Sequence, residues 1–134
     1  MARTAVELLD AARAAEKAQT LFYRALSVIA EERSASEDVE ALNGLLADEQ
    51  HHLSRLTVRL LELGATAAPL DVATPTCEYD EWRTVARARE QSEIARYQQL
   101  LEAELDSATE NIIQSILEVE HQHERNLGGK YTEA

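Results

Sequence analysis

The hydrophobic positions of this chain recur every three to four residues along four long segments. Such spacing is typical of amphipathic helices, and no segment alternates apolar and polar residues as a half-buried strand would. The segments predict helices over about residues 4–32, 36–63, 77–105 and 107–127. Interruptions are rare, because the 134 residues include only four Gly and two Pro. The pattern therefore predicts an all-α fold in a single domain, residues 1–134.

Capping residues indicate where these helices begin and end. Three motifs have the Ser/Thr-x-x-Glu form of a capping box, in which a hydroxyl and an acid satisfy free amides at a helix start. They begin at Thr4, Ser34 and Ser107. Gly64 follows the second helix, where glycine commonly ends a helix, and Pro75 marks the approach to the third. The tail GGKYTEA after the fourth helix is expected to be disordered.

The lengths of the connections predict how the helices pack. Only a few residues join the first helix to the second and the third to the fourth, which favours antiparallel neighbours. Between the second and third helices lie the twelve residues GATAAPLDVATP. Extended, they reach about 40 Å at about 3.3 Å per residue, and a helix of about 28 residues is about 42 Å long. We therefore predict a ferritin-like four-helix bundle of two antiparallel hairpins, joined by a long crossover.

Charge and composition exclude several classes of partner. The net charge of −12 argues against nucleic acid and against anionic membrane surfaces. The single cysteine, Cys77, cannot form an internal disulfide or a four-cysteine metal site. No apolar run has the length of a membrane span, and the start of the chain lacks a signal-peptide pattern. We expect a cytoplasmic protein that binds neither nucleic acid nor membrane.

Polar residues interrupt the inward-facing apolar stripe of every predicted helix. The second and fourth helices each carry Glu-x-x-His, and the first and third each carry a Glu followed seven residues later by a Tyr. These pairs are Glu49/His52, Glu120/His123, Glu16/Tyr23 and Glu90/Tyr97. Residues at these spacings share one face of a helix, so both members of each pair point inward. The chain is thus an internal repeat of two hairpins.

Antiparallel packing predicts that six of these residues lie at one depth of the bundle. The Glu of the first helix and the Glu-x-x-His of the second are equally far from the turn near residue 33 that joins their helices. The same holds for the third and fourth helices about the turn near residue 106. Unrelated surface acids would not be expected to coincide in this way twice.

So many buried carboxylates must either take up protons or be neutralised by cations. Carboxylates combined with imidazoles suit iron or manganese, whereas a softer metal would favour thiolates. One Glu from each of two helices, with Glu-x-x-His from each of the other two, is the ligand set of di-iron and di-manganese carboxylate proteins. We predict a site for two iron ions, or for manganese in place of one or both. The predicted ligands are Glu16, Glu49, His52, Glu90, Glu120 and His123.

Position along the helices predicts the role of each group. The glutamates of the two Glu-x-x-His motifs are expected to bridge the metals, each histidine to bind one metal, and Glu16 and Glu90 to be terminal ligands. Tyr23 and Tyr97 are expected to hydrogen-bond to the carboxylates around the metals. Asp48, which lies off the inward stripe, is expected to flank the site.

The combination of Glu-x6-Tyr on two helices with Glu-x-x-His on the others resembles the rubrerythrin branch of the ferritin-like superfamily, over about residues 5–127. Rubrerythrins carry an extra carboxylate on the third helix, which lets one iron exchange a His ligand for a Glu as its oxidation state changes. Glu93 occupies the matching place, three residues after Glu90, whereas the first helix has Gln19 there. The resemblance therefore implies that Glu93 is a metal ligand or a redox-dependent switch.

The resemblance implies a non-haem di-iron oxidoreductase that reduces hydrogen peroxide. Rubrerythrins usually append a rubredoxin domain with a four-cysteine iron site, whereas this chain has one cysteine and ends soon after the fourth helix. This departure weakens the inference of peroxidase activity but leaves the inference of a di-iron site unchanged. Electrons are expected from an external donor, which would be a rubredoxin-like protein or a flavoprotein.

Three other functions are open to the same ligands. The first is an O2-dependent ferroxidase or iron-handling ferritin-like protein, including one that is cargo of a larger shell. The second is a di-iron oxygenase acting on an organic substrate, which needs a channel for which Ala12, Gly44 and Ala86 could leave space. The third is a non-catalytic bundle that binds metal as a sensor or a structural element.

A second group of apolar residues lies beside the inward stripes. It consists of Leu21, Phe22 and Trp82. Packing within the bundle and an interface between two copies would each explain this group. We expect the protein to form a homodimer.

Overall fold

A computed structural model of the chain describes residues 4–128 and contains no strand within that range. Its four helices are α1 (Ala5–Glu32), α2 (Ser36–Glu62), α3 (Trp82–Leu101) and α4 (Ser107–Gly128). Helix α1 packs against α2 and α3 against α4, with further contacts between α1 and α3 and between α2 and α4. The predicted all-helical bundle of two hairpins is confirmed.

Among residues 4–128, no helix combines the length and the apolar composition of a membrane-spanning segment. The predicted disordered tail lies outside the described residues, apart from Gly128.

Two of the predicted helix-end signals are confirmed. At the start of α1, Glu7 N donates to Thr4 Oγ1 at 3.1 Å and Thr4 N donates to Glu7 Oε1 at 3.0 Å, which is a complete capping box. At the end of α2, Gly64 adopts a φ of 81°. This left-handed conformation, which favours glycine, lets Ala65 N donate to Leu60 O at 3.0 Å and close the helix.

The capping boxes predicted at Ser34 and Ser107 are wrong. Ser34 lies in the turn of three residues between the end of α1 at Glu32 and the start of α2 at Ser36, where it adopts a φ of 54°. Its neighbour Ala35, which has no capping side chain, is the N-cap of α2. Helix α4 is capped one residue earlier than predicted, since Thr109 N donates to Asp106 Oδ1 at 2.7 Å. Aspartate is at least as good an N-cap as serine, so Asp106 was the competing signal.

The third helix is shorter than the predicted 77–105. It begins at Trp82, after a single 3-10 turn over Tyr79–Glu81, and it ends at Leu101. At its start, contacts with the first hairpin hold the preceding residues outside the helix, because Tyr79 OH donates to Asp38 Oδ2 at 2.6 Å. At its end, Asp106 must leave the helical conformation to cap α4, so residues 102–106 form the turn between the two helices.

The long connection between α2 and α3 follows the first hairpin from one end to the other. Close to the Gly64 end, Arg13 Nη2 donates to Ala68 O at 2.6 Å. At the far end, beside the turn between α1 and α2, Asp80 pairs with Arg33 at 3.4 Å. Helix α3 therefore starts beside that turn and runs antiparallel to α1.

Apolar side chains form two clusters, one toward each end of the bundle. The upper cluster, beside the turn between α1 and α2, contains Phe22, Tyr23, Leu26, Ala30, Leu42, Leu45, Trp82, Ala86 and Leu127. The lower cluster contains Leu9, Ala12, Leu56, Leu60, Tyr97, Leu100, Ile113 and Ile116. Phe22 and Trp82 are thus core residues, at 1% and 3% exposure, and do not form an exposed interface. Leu63 continues the apolar spacing of α2 but is 36% exposed, because α2 ends before it.

Candidate metal centre

A layer of charged side chains separates the upper and lower apolar clusters, and every helix contributes to it. Each of these side chains is at most 6% exposed. They are Glu16 from α1, Glu49 and His52 from α2, Glu90 and Glu93 from α3, and Glu120 and His123 from α4. Because the apolar clusters close the layer from above and below, its carboxylates have little access to water.

Six of the seven predicted ligands converge in two overlapping groups. The first group is Glu16, Glu49, His52 and Glu120, and the second is Glu49, Glu90, Glu120 and His123. Within each group the ligand atoms lie within 4.8 Å of one another. Glu49 and Glu120 belong to both groups, which is the arrangement expected of carboxylates that bridge two ions. Among the described residues, Glu93 lies outside both groups.

The buried polar atoms of the layer lack partners that protein groups would normally supply. In the described chain, six buried side-chain oxygens and nitrogens have no hydrogen-bond partner, and all of them belong to these two groups. They are Glu16 Oε1, Glu49 Oε2, Glu90 Oε1, both carboxylate oxygens of Glu120, and His123 Nδ1. Each such atom costs about 1–3 kcal/mol when buried alone. Hard oxygens combined with imidazole nitrogen fit divalent iron or manganese, so the residues present fit metal ions of this kind.

Both histidines turn the same ring nitrogen toward the carboxylates of their group. His52 Nδ1 lies 3.0 Å from Glu49 Oε1 and 3.4 Å from Glu16 Oε2. His123 Nδ1 lies 3.1 Å from Glu120 Oε1 and 3.4 Å from an oxygen of Glu90. Nδ1 is therefore the nitrogen that each histidine offers to a metal ion.

The second nitrogen of His123 has a carboxylate partner of its own. His123 Nε2 lies 2.8 Å from Asp48 Oδ2, across the interface between α4 and α2. A carboxylate at this nitrogen fixes the ring orientation and the tautomer of a metal-binding histidine. The second hairpin has Val119 at the position that corresponds to Asp48, so the repeat does not provide His52 with the same partner.

The two inward tyrosines hydrogen-bond across the bundle. Tyr23 OH donates to Glu90 Oε2 at 2.6 Å, and Tyr97 OH donates to Glu16 Oε2 at 2.5 Å. Each tyrosine therefore orients the glutamate of the other hairpin. Burial, together with the neighbouring carboxylates, raises the pKa of both phenols well above their usual range, so both remain donors at neutral pH.

Gln19 and Glu93, the corresponding residues of α1 and α3, have different surroundings. Gln19 Nε2 donates to Glu90 Oε2 at 3.2 Å, and its carbonyl accepts from Arg89 Nε at 2.6 Å. Glu93 accepts from Arg96 Nε at 3.2 Å. Burial, followed by the charge of Glu16, raises the pKa of Glu93 to about 7. The side chain of Glu93 thus adjoins the first metal group, while its role as a ligand remains a prediction.

Burial and mutual repulsion make two of the metal-free carboxylates, Glu49 and Glu120, retain protons. Burial raises the pKa of Glu120 to about 9, reinforced by the charges of two neighbouring glutamates and opposed by His123. Burial also raises the pKa of Glu49 well above its usual range. For His123, burial alone would lower the pKa, but the carboxylates of Glu120 and Glu90 close to its Nδ1 outweigh burial and raise that pKa to about 11. Glu90 has a lowered pKa, since the hydrogen bond and charge of His123 exceed the effect of burial. Metal ions must displace these protons to bind.

Comparison of the chain with models of known protein families, with curated proteins and with solved structures found no match. Function must therefore be argued from the side chains of the site. Periodicity alone did not reveal the contact of Arg89 with Gln19 or that of Asp48 with His123. Arg89 and Asp48 lie off the inward stripes, so their reach across to another helix depends on how the helices are rotated.

Proposed function

We propose that the chain is a rubrerythrin-like, non-haem di-iron protein of the ferritin-like superfamily that reduces hydrogen peroxide with electrons from an external donor. The observation that carries the proposal is the sharing of Glu49 and Glu120 between two groups of four ligands. Two adjacent metal ions require bridging groups of this kind. The four carboxylates of the two groups, once deprotonated, balance the charge of two divalent cations, so the loaded centre would be neutral.

The chain contributes position, orientation and exclusion of water to this reaction. Two bound iron ions would supply two electrons, which together with two protons reduce hydrogen peroxide to two molecules of water. The hydroxyls of Tyr23 and Tyr97 hold the terminal glutamates Glu90 and Glu16 in fixed orientations. The upper and lower apolar clusters keep bulk water away from the carboxylate layer, which strengthens its electrostatic interactions.

The difference between Glu93 and Gln19 favours a rubrerythrin-like reaction. The fifth buried carboxylate, Glu93, makes the surroundings of the two ligand groups unequal. The charge of Glu16 raises the pKa of Glu93 more than the charge of Glu90 does, which associates Glu93 with the group of Glu16 and His52. By resemblance, Glu93 would exchange with the histidine of that group, His52, as the metal changes oxidation state.

The electrons must come from outside the centre. The single cysteine of these 134 residues, Cys77, cannot form a four-cysteine iron site. The proposal therefore assigns electron delivery to a donor outside these residues, a rubredoxin-like protein or a flavoprotein.

A second candidate function is oxidation of Fe(II) by oxygen. A cavity beside the second metal group favours it, because exposed carboxylates border that cavity and His123 lies at its wall. A ferroxidase needs a path by which iron enters repeatedly as substrate, whereas a peroxidase loads its iron once. The two functions use the same ligands and differ in the oxidant that reacts faster.

The first test of the centre is the number of metal ions bound. The wild-type chain, loaded anaerobically with Fe(II) and desalted, should retain two ions per chain. Glu49→Ala and Glu120→Ala should each lose tight binding of both ions, because each removes a bridge. Glu118→Ala, which changes an exposed glutamate of α4, is the matched control and should retain two. If the Glu49 and Glu120 variants bind two ions as tightly as the wild type, the bridging roles are wrong.

The second test is the choice of oxidant. The di-ferrous protein is mixed in a stopped-flow instrument with hydrogen peroxide or with oxygen, and iron oxidation is followed by absorbance. Much faster oxidation by peroxide supports the peroxidase, and faster oxidation by oxygen supports the ferroxidase instead. A wild-type chain that retains no iron would contradict both.

A further inference from the structure

A cavity of about 320 Å³ lies between α2 and α4, next to the second metal group. Its wall includes Gly44 and Asp48 from α2 and His123 from α4. The imidazole of His123 connects the cavity to the centre, since its Nε2 faces Asp48 and its Nδ1 faces Glu120. His123, itself one of the predicted ligands, therefore lies between the cavity and the other ligands of the second group.

Gly44 keeps this cavity open. Glycine is among the least favourable residues inside a helix, so its presence within α2 needs a reason. Close packing is not that reason, because a Cβ at Gly44 would meet no atom within 4 Å among the described residues beyond its chain neighbours and the adjacent backbone of α2. A larger side chain at Gly44 would instead extend into the space that the cavity occupies.

The charge around the cavity suits a cation. Asp48, whose side chain is 52% exposed, directs one oxygen to His123 and presents the carboxylate to solvent. Glu40, also exposed, is a second acid on the wall. Arg83 is the basic residue there, and it pairs with Asp38 at 3.2 Å, which offsets its charge. The resulting negative field raises the local concentration of cations and their rate of entry.

The opposite side of the bundle offers a useful contrast. A groove of about 220 Å³ between α1 and α3 reaches Glu93 and is bordered by Arg89 and Arg96. Arg96 pairs with Glu93 at 3.2 Å, whereas Arg89 hydrogen-bonds to the neutral amide of Gln19, so the positive charge of Arg89 repels divalent cations there. Ala18 lines this groove, as Gly44 lines the cavity between α2 and α4.

We propose that the cavity beside Gly44 is the entry route for the divalent cations that load the centre. Asp48 presents a carboxylate to an entering ion, and it also orients His123, the ligand on the cavity wall. The inference rests on the proposed metal centre and adds the path by which that centre is filled.

The test measures how fast the metal-free 134-residue chain takes up Co2+, using the visible absorption of the bound ion in a stopped-flow instrument. Gly44→Leu should slow uptake at least about tenfold while two ions still bind at equilibrium. Ala18→Leu, which narrows the other groove by the same side chain, is the matched control and should load at the wild-type rate. Circular dichroism of both variants checks that the helices are intact.

A second variant tests the charge without filling the cavity. Asp48→Asn keeps an oxygen that can pair with His123 Nε2 but removes the negative charge. It should slow Co2+ uptake roughly threefold to tenfold at low salt and weaken the dependence of the rate on ionic strength. Glu118→Gln, an exposed acid away from the cavity, should leave the rate and its salt dependence unchanged.

The outcomes separate the route from the centre. If two Co2+ ions bind at equilibrium but neither Gly44→Leu nor Asp48→Asn slows their uptake, the route is wrong and the centre stands. Slower uptake by Ala18→Leu with normal uptake by Gly44→Leu would place the entry between α1 and α3 and also overturn the proposal. If the wild-type chain binds no Co2+ at equilibrium, both the centre and the route are wrong.

Discussion

The α1–α2 hairpin and the α3–α4 hairpin bring the same polar residues to the middle of the bundle and depend on each other to hold them. Each supplies a Glu and a Tyr from its first helix and a Glu-x-x-His from its second. Tyr23 of the first hairpin supports Glu90 of the second, and Tyr97 of the second supports Glu16 of the first. Since each terminal glutamate is held by the other hairpin, neither hairpin contains a complete half of the centre.

The two hairpins differ at two positions beside the centre. Gln19 in α1 corresponds to Glu93 in α3, and Asp48 in α2 corresponds to Val119 in α4. The first difference puts an additional carboxylate close to Glu16. The second gives His123 a carboxylate partner. The shared residues thus form two similar groups of possible metal ligands, and the departures from the repeat make the surroundings of those groups unequal.

Removing one histidine at a time should show two ion positions that empty separately. His52→Ala and His123→Ala should each retain one tightly bound Co2+ per chain and lose the other by at least about 100-fold in affinity. Loss of a carboxylate partner alone is worth roughly 10–100-fold at metal-binding histidines, and loss of the ligand exceeds that. Calorimetric titration of the metal-free protein with Co2+ measures both the number of ions and their affinities.

His51→Ala is the control, because His51 is exposed and adjacent to His52 in sequence. It should bind two ions as tightly as the wild type. If either His52→Ala or His123→Ala binds two ions with wild-type affinity, that histidine is not a ligand, and the symmetry of the two hairpins does not extend to the metals.

Without metal, the protein should lose stability as the pH rises from about 6 to about 9. The pKa of Glu120 is about 9 in the folded state against an ordinary 4.5. Between these pH values the folded state holds a proton that the unfolded state has lost, so the free energy of unfolding falls as the pH rises toward 9. The contribution of His123, whose pKa is about 11 against 6.5, is likewise lost above about pH 6.5. The lowered pKa of Glu90 acts below about pH 4.5, outside this window. A difference of one bound proton over these three pH units lowers the free energy of unfolding by about 4 kcal/mol.

Urea denaturation at pH 6 and pH 9, followed by circular dichroism, measures this change. Saturating Mn2+ should reverse the trend, because deprotonated ligands bind the ions better and bound ions stabilise the folded state. Glu120→Gln should show a smaller decrease, since the amide does not titrate. Stability of the metal-free wild type that rises between pH 6 and pH 9 would contradict the protonated state of the cluster.

Exchanging Gln19 and Glu93 should move the extra carboxylate from one ion position to the other. Glu93→Gln should stabilise the metal-free protein at pH 8 by about 1 kcal/mol, because it removes a buried carboxylate whose pKa is about 7. Gln19→Glu should destabilise it by a similar amount, since the new carboxylate would lie against Glu90, to which Gln19 now donates. Urea denaturation measures both changes.

The same exchange tests the role of Glu93 in the reaction. Glu93→Gln should retain two Fe(II) per chain but react more slowly with hydrogen peroxide. The double exchange should not restore the rate, because the two histidines are not equivalent. His123 has Asp48 as a carboxylate partner, whereas Val119 occupies the corresponding position in the other hairpin. An unchanged rate of peroxide reduction in Glu93→Gln would remove Glu93 as a ligand or switch.

Features that depend on periodicity were predictable from the sequence, and features that depend on local competition or on side-chain reach were not. The inward stripes place Glu49 and Glu120 in the core because every third or fourth residue of a helix shares a face. Helix ends are less certain, as Asp106 shows by capping α4 in place of Ser107. The contact of Asp48 with His123 depends on the rotation of α2 against α4, which a hydrophobic pattern specifies only to within a residue or two.

The two helix C-termini of the first hairpin provide the smallest and most local test. Ser34 lies two residues after the end of α1 and Gly64 two residues after the end of α2, and both have positive φ, 54° and 81°. In each case the next residue donates its N–H back five residues, Ala35 to Ala30 and Ala65 to Leu60, at 3.0 Å. The backbone of the two ends is therefore alike, and only the side chain in the left-handed position differs.

A side chain in the left-handed region costs about 1–2 kcal/mol, which glycine avoids, although glycine also gives the unfolded chain more freedom. Ser34→Gly should therefore stabilise the protein by about 0.5 kcal/mol, and Gly64→Ala should destabilise it by about 1 kcal/mol. Urea denaturation of the metal-free variants measures both, with metal content checked separately because neither residue is near the centre. If Ser34→Gly is destabilising, the hydroxyl of Ser34 contributes more to the turn than its backbone conformation costs, and the two helix ends are not equivalent.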